Sequence, residues 1–227
     1  MLIPRALRAG RGILGALAMA LIVTGCGAGA TPEQIGPQGI DGLIVPNPSP
    51  DPDGFSRQPD SPWLGGTTGT VASTGGIPLS FSRLATTKVA GITTVPVELL
   101  ADGGRSGRLV SWYAVDRAGN VWLFAEQSSG IFGDRDWRAG EGGARPGVAV
   151  PANPRRGDGF LSEKVPGGPH DRRSTLRVAK TDPDYAETCP GCVEFEITTS
   201  LGHRLRATYQ QGAGLIRLDP LGGWPEV

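Results

Sequence analysis

Short segments in which apolar and polar residues alternate, separated by glycine, proline and aspartate, recur along the chain from residue 62 to residue 221. No segment there keeps apolar residues at the i, i+3, i+4 and i+7 positions of an amphipathic helix over three turns. Successive side chains of a strand point to opposite faces of its sheet, so the pattern predicts half-buried antiparallel strands. About 160 residues suffice for one domain with its own core. We therefore predict one all-β domain at 62–221, an antiparallel barrel or a strongly curved sheet.

The same alternation predicts where the strands lie. We expect them near residues 68–74, 78–85, 92–100, 108–115, 121–126, 159–165, 174–180, 193–199, 203–210 and 213–218. Pro96 falls inside the third segment, and because proline cannot donate a hydrogen bond to a neighbouring strand, this strand is predicted to lie at a sheet edge. Residues 147–158 (GVAVPANPRRGD) contain prolines and no helix signal. They are predicted to form an extended loop, either a crossover or a lid over the sheet.

One hairpin can be predicted down to its register, in the stretch VEFEITTSLGHRLRATY. A turn centred on Leu201 places three apolar residues of the first strand opposite three of the second: Val193, Phe195 and Ile197 opposite Tyr209, Ala207 and Leu205. On the other face, the same register sets Glu196 against Arg206. One apolar face and one charge-complementary face are typical of a half-buried antiparallel pair.

A second hairpin is predicted in RLVSWYAVDRAGNVWLFAE. Asp116 and Gly119 occupy the first and fourth positions of a type I turn, where these residue types are favoured. Four aromatic residues flank the turn, namely Trp112, Tyr113, Trp122 and Phe124. They are candidates for lining an apolar ligand cavity, and the alternative is that they fill an ordinary core.

The N-terminus has the features of an export signal. Three arginines precede an apolar run at 13–23, which is too short for a stable membrane-spanning helix, so residues 1–25 are predicted to be a signal peptide. The following VTGC resembles the bacterial lipobox, which implies that Cys26 carries diacylglycerol and begins the mature chain. Two acyl chains give durable attachment. We predict a lipoprotein held to the cell membrane through Cys26, on the extracytoplasmic face.

Composition changes after the predicted cleavage site. Residues 26–61 are rich in glycine, proline and aspartate and poor in aromatic residues, so they are predicted to be a disordered tether. Residues 222–227 are predicted to be a C-terminal tail. The whole chain has 22 basic and 22 acidic residues, and loss of three arginines with the signal leaves an acidic excess of three. This balance argues against a nucleic-acid partner, whose binding surfaces are basic.

Two cysteines remain if Cys26 is lipidated. Cys189 and Cys192 form a C-P-G-C motif, and in an oxidising compartment outside the cytoplasm we predict a disulfide between them. A redox C-x-x-C is an alternative, although such motifs normally start a helix, and this one leads into a predicted strand. Half of a zinc site is a second alternative, for which only His170 and His203 could supply histidine ligands.

Three blocks, SWYAVDRAGNVWLFAE, GVAVPANPRRGD and YQQGAGLIRLD, resemble those of an uncharacterised family of secreted bacterial proteins, many of them lipoproteins. Its members read WYAQDxxGNVWYFGE, GIxMPANPxxGD and YYAPGVGLV, and the likeness covers roughly residues 62–219. The resemblance implies a mostly antiparallel β-domain and brings no activity with it. Val115 stands where the family has glutamine, so any ligand role of that glutamine is absent here.

No catalytic or cofactor motif is present. The sequence lacks G-x-S-x-G, H-E-x-x-H, a P-loop and a dinucleotide-binding glycine pattern, and neither Asp134 with Asp136 nor Asp51 with Asp53 has the spacing of a calcium loop. We expect no enzyme, no cofactor and no metal. The function predicted first is binding or carriage of an apolar or lipid-like ligand. The alternatives are an envelope interaction or scaffold module with a filled core and, third, a hydrolase with an unrecognised site. The sequence identifies no protein partner.

Overall fold

The predicted all-β fold is confirmed by the computed structural model, which describes residues 33–34, 43–45, 51–74, 76–103, 105–167, 172–181 and 188–224. The predicted signal peptide, Cys26 and His170 lie outside these residues. The strands of the described part are β1 Glu33–Gln34, β2 Leu43–Val45, β3 Thr68–Val71, β4 Leu79–Arg83, β5 Thr87–Val89, β6 Ile92–Ala101, β7 Gly107–Val115, β8 Val121–Gly130, β9 Arg135–Arg138, β10 Arg145–Val150, β11 Gly159–Val165, β12 Arg172–Lys180, β13 Cys192–Thr198, β14 Arg204–Gln210 and β15 Gly214–Pro220. The one helical element among these residues is a 3-10 turn at Pro52–Gly54. Nothing helical in the described chain is long and apolar enough to cross a bilayer.

Strands β3 to β15 form one antiparallel sheet in the order β15-β14-β13-β12-β11-β10-β8-β7-β6-β4-β3, with β5 beside β6 and β9 beside β8. The sheet curls so that its first and last strands approach each other. Ala72, just after β3, forms a parallel bridge with Arg217 of β15, and its amide donates to the Ile216 carbonyl at 2.9 Å. The edges meet at this bridge without a continuous ladder. The prediction of a barrel-like or strongly curved sheet is therefore confirmed.

The β13–β14 hairpin has the predicted register. Phe195 pairs with Ala207 and Glu196 pairs with Arg206, as the alternating pattern required. Phe195 is fully buried, and its ring meets that of Tyr209 edge to face at 5.7 Å between centroids. The apolar face of this hairpin therefore lies towards the core.

The β7–β8 hairpin is also confirmed. The Gly119 amide donates to the Asp116 carbonyl at 3.0 Å, which closes the predicted turn. Gly119 has a φ of +89°, a conformation that glycine adopts without steric cost. A register shift in the β7–β8 ladder follows the Trp112–Ala125 pair, so that Tyr113 pairs with Leu123.

The prediction that Pro96 marks an edge strand was wrong. β6 is paired on both sides, with β7 along one side and with β4 and β5 along the other. β5 pairs with the start of β6 up to Thr94, and β4 pairs from Val97 onward, so Pro96 falls in the gap between them. No neighbour needs a hydrogen bond from the Pro96 nitrogen at that point, which is why proline is tolerated inside the sheet.

Part of the predicted loop at 147–158 is a sheet strand. β10 lies between β8 and β11, and its residues Val148 and Val150 are buried. A Cβ on Gly147 would lie 2.1 Å from the Leu161 carbonyl oxygen, so glycine allows β10 to approach β11 closely. Residues 147–150 join the sheet rather than cover it, because Val148 and Val150 are buried in the core, whereas residues 151–158 lie outside the strands.

The packed domain extends beyond the predicted limits of 62 and 221. Phe55, in the predicted tether, is buried against Trp122 and Phe124, with ring centroids 5.9 and 5.2 Å apart. Trp224, in the predicted tail, is buried against Phe132 at 5.6 Å. One large aromatic residue in each flanking segment supplies enough apolar surface to bring that segment onto the sheet.

We predict that Phe55→Ala lowers the free energy of unfolding by about 3–5 kcal/mol, the usual cost of removing a buried phenylalanine. Arg57→Ala, an exposed position two residues away, is the control and is expected to change it by less than about 0.5 kcal/mol. Urea unfolding followed by tryptophan fluorescence measures both. Equal, small effects of the two substitutions would show that the segment before residue 62 does not contribute to the fold.

Candidate functional site

A cavity of about 50 Å³ lies inside the curve of the sheet. Its walls come from strands that are far apart in the sheet order, including β4, β7, β10 and β15. The apolar wall includes Phe81, Val97, Leu109, Val121, Val150 and Leu215. Because these strands meet across the interior only if the sheet bends round on itself, the cavity is a direct product of the curvature.

Three hydroxyl groups form the polar wall of the cavity, those of Ser111, Tyr113 and Tyr209. Burial raises the pKa of Tyr113 to about 12, against the opposing effect of hydrogen bonds with Ser111 and Tyr209. Burial also raises the pKa of Tyr209, and the neighbouring Tyr113 adds to the rise. Both phenols are therefore uncharged at neutral pH and can donate or accept a hydrogen bond.

A buried cluster of charged residues adjoins this polar wall. Arg135 forms ion pairs with Glu126 and with Glu163, the latter at 3.0 Å between Nη1 and Oε1. The Ser174 hydroxyl donates to the same Glu163 oxygen at 2.5 Å. The Arg135 side chain is 6% exposed and that of Glu163 is fully buried. Two carboxylates thus share one guanidinium inside the domain.

Glu126 links the charged cluster to the cavity. It pairs directly with Ser111 across the β7–β8 ladder, so the two side chains share a face of the sheet. Burial raises its pKa to about 7, Arg135 opposes the rise, and the negative charge of Glu163 adds to it. Glu126 therefore changes its charge near neutral pH, next to the hydroxyl groups.

One side of the cavity is closed by the segment 54–66, which we call the strap. Trp63 and Leu64 of the strap line the cavity and are 4% and 6% exposed. The Gly212 amide donates to the Pro62 carbonyl at 2.7 Å, and the Arg83 guanidinium donates to the Gly65 carbonyl at 3.1 Å. These contacts hold the strap across the end of the sheet where the β14–β15 turn lies.

Of the four aromatic residues nominated from the sequence, Tyr113 alone lines the cavity. Trp112 lies on the opposite face of β7, where the Arg138 guanidinium stacks over its ring at 4.7 Å. The indole nitrogen of Trp122 donates to an Asp116 carboxylate oxygen at 2.8 Å. Phe124 packs against Phe55, at the beginning of the strap. These three side chains stabilise the outer face of the sheet and do not reach the cavity.

The Asp116 carboxylate explains much of the sequence motif around the turn. It accepts hydrogen bonds from the backbone and side-chain amides of Asn120, both at 2.8 Å. The side-chain oxygen Oδ1 of Asn120 in turn accepts a hydrogen bond from the backbone amide of Ala152, in the PANP segment, at 2.8 Å. The D-x-x-G-N and PAN motifs therefore hold one junction of the fold together, which is a structural role.

Cys189 and Cys192 lie at disulfide distance, with Cα atoms 5.5 Å apart. The Cys192 amide donates to the Cys189 carbonyl at 3.1 Å, which forms the tight turn leading into β13. Within the described residues, no group of three or more His, Cys, Asp or Glu side chains is placed to hold a metal ion.

The charged cluster was missed by the sequence analysis. Asp134 and Asp136, which the sequence offered as possible metal ligands, are both exposed, and Arg135 between them points inward. The missed signal was alternation within GDRDW, which sets Arg135 on the same side as buried Trp137. The partner Glu163 is distant in sequence, so the pattern could not have indicated the pair. His203 lies partly buried at the β13–β14 turn.

Comparisons with known proteins give no family for this chain. No family model matches it, and neither a curated protein nor a solved structure does so. Its function has to be inferred from the residues and geometry of the chain itself.

We predict that the free energy of unfolding falls as the pH rises from about 4.5 to about 7. Glu126 has a pKa of about 7 in the folded chain against an ordinary 4.5, so the folded state binds more protons in this range. The loss is at most about 3 kcal/mol. Glu126→Gln should remove that slope in urea unfolding measured across the range.

The matched control for this pH dependence is Glu98→Gln. Glu98 forms an ion pair with Arg108 at 2.7 Å on β6 and β7 and does not line the cavity. This substitution should leave the slope in place. An unchanged slope in Glu126→Gln would show that Glu126 is not the group that titrates.

Proposed function

We propose that this protein is a lipoprotein anchored through Cys26 to the extracytoplasmic face of the cell membrane, and that its β-domain binds a small apolar ligand inside the curved sheet. The observation that supports the binding proposal is the apolar cavity, in which three residues with hydroxyl groups form one part of the wall. Small-molecule sites are typically apolar with a few placed polar groups. The anchor is supported by the lipobox, and by a cysteine pair suited to a disulfide in an oxidising compartment.

The size of the cavity limits what it can hold in its present state. About 50 Å³ accommodates only a few water-sized groups, whereas ligand pockets usually measure about 300–1,000 Å³. A larger ligand requires part of the wall to move. Trp63 and Leu64 are the natural candidates, because they belong to the strap and not to a strand of the sheet. We therefore propose that the strap swings outward to admit ligand.

The second candidate function is an interaction or scaffold module without a small ligand. The small cavity favours it, and so does the burial of Trp112, Trp122 and Phe124 in the outer face of the sheet. In this case the protein would present its surface to a partner, and the interior would serve stability alone. We do not propose catalysis, because the buried carboxylates Glu126 and Glu163 are both engaged by Arg135.

The ligand-binding proposal predicts saturable binding of a neutral, environment-sensitive naphthylamine dye to the mature chain carrying Cys26→Ser. Leu109→Trp should abolish binding, because the added ring fills the cavity. Leu100→Trp is the matched control, since Leu100 neighbours the cavity residue Leu99 on β6 and so faces the other side of the sheet. Fluorescence titration measures binding, and thermal unfolding checks that both variants fold. No saturable binding to the parent chain would favour the scaffold module.

The anchor proposal predicts that the chain, expressed in a bacterial host with a clickable fatty acid, becomes labelled and sediments with membranes. Cys26→Ser should be unlabelled and retain its signal peptide, because the peptidase needs the lipidated cysteine. Cys189→Ser should be labelled like the parent, which controls for thiol loss elsewhere. Equal labelling of the parent and Cys26→Ser would overturn the anchor.

A further inference from the structure

The polar side chains of the cavity wall carry hydroxyl groups, apart from the indole of Trp63. Ser111, Tyr113 and Tyr209 contribute them, and none of the described residues that line the cavity is a lysine, an arginine or a histidine. A hydroxyl group both donates and accepts, so this wall satisfies a ligand hydroxyl or carbonyl equally well. It offers no positive charge to a ligand carboxylate.

A carboxylate lies beside the hydroxyl wall. Glu126 is the cross-strand partner of Ser111, and side chains so paired have Cβ atoms about 4.5–5.5 Å apart. Arg135 does not line the cavity. Its guanidinium is shared between Glu126 and Glu163, so among the described residues of this cluster two carboxylates face one cation when both acids are ionised.

We infer that the interior site selects an apolar ligand that ends in one uncharged hydroxyl or carbonyl group, which hydrogen-bonds to Ser111, Tyr113 and Tyr209, and that it disfavours a carboxylate of the same length. This inference rests on the proposed function. An anion at the hydroxyl wall would lose its water next to the charge of Glu126, and both effects weaken its binding. The ligand class is thus a neutral amphiphile such as a long-chain alcohol, not a free fatty acid.

A cationic ligand is disfavoured for a different reason. Glu126 lies beside the cavity but does not line it, and it is already paired with Arg135. The charge of Glu126 attracts an ammonium group, but without a direct carboxylate contact this attraction does not offset the cost of removing the water around the ammonium group. Among ligands that differ only in their head group, we therefore expect the one with a hydroxyl group to bind more tightly than the one with a carboxylate or the one with an ammonium group.

The test is displacement of the naphthylamine dye from the mature chain carrying Cys26→Ser by three ten-carbon compounds, decanol, decanoate and decylamine. At a pH above about 8, where Glu126 is ionised, decanol should bind roughly tenfold or more tightly than either charged compound. Tyr209→Phe should weaken decanol binding roughly two- to tenfold more than it weakens dye binding, because it removes one hydrogen-bonding group and little volume.

Glu126→Gln tests the origin of the selectivity. It should tighten decanoate binding and narrow the difference between decanoate and decanol, whereas Glu98→Gln, with its ion pair outside the cavity wall, should leave that difference unchanged. If Glu126→Gln does not fold, the measurements on Tyr209→Phe and on the parent chain still show whether the site prefers decanol to the charged compounds. Stronger binding of decanoate or decylamine than of decanol would overturn the inference while leaving a ligand site in place. Absence of dye binding would instead overturn the proposed function itself.

Discussion

Contact between the two edges of the curled sheet is the constraint on which the rest of the structure depends. Ala72 exchanges backbone hydrogen bonds with β15 at 2.9 Å, and the Asp219 carboxylate accepts from the Thr74 amide at 2.7 Å. Burial alone would raise the pKa of Asp219, but hydrogen bonds from Arg217 and Thr74 outweigh it and lower the pKa. Without this contact the inner face would be an open apolar surface, and there would be no enclosed cavity.

The buried charged cluster is the feature that connects stability with the proposed selectivity. Burying ions is expensive unless they are paired, and removing one partner of a buried pair typically costs about 3–5 kcal/mol. Arg135 pairs with Glu126 and Glu163 together, and Ser174 donates a further hydrogen bond to Oε1 of Glu163. The same arrangement places the Glu126 carboxylate beside the hydroxyl wall. A group of residues that stabilises the fold therefore also determines the charge next to a ligand in the cavity.

The strap joins the outer face of the sheet to the cavity. Its first part brings Phe55 onto Trp122, and its last part brings Trp63 and Leu64 over the interior. The chain that precedes the strap leads towards Cys26, the proposed site of lipid attachment. In the proposed function, the segment that gates the cavity is therefore also the segment through which the domain is connected to the membrane.

The sequence by itself determined ten of the thirteen strands from β3 to β15, and the local hairpins. Period-two alternation located the ten predicted strands, and the opposite charges of Glu196 and Arg206 specified the register of β13 and β14. Such features depend on residues that are close in the chain. Both faces of β7 are apolar, however, so alternation could not tell that Tyr113 faces the cavity while Trp112 faces outward.

Tertiary structure alone decided which face became the interior. The same holds for the insertion of β10 between β8 and β11, for the place of Pro96 inside the sheet, and for the pairing of Arg135 with Glu163. Each of these results from contacts between segments far apart in the chain. A pattern of period two indicates on which face of a strand each side chain lies relative to its neighbours. It indicates neither which strands pair nor in which direction the sheet bends. The cavity results from the pairing and the bending.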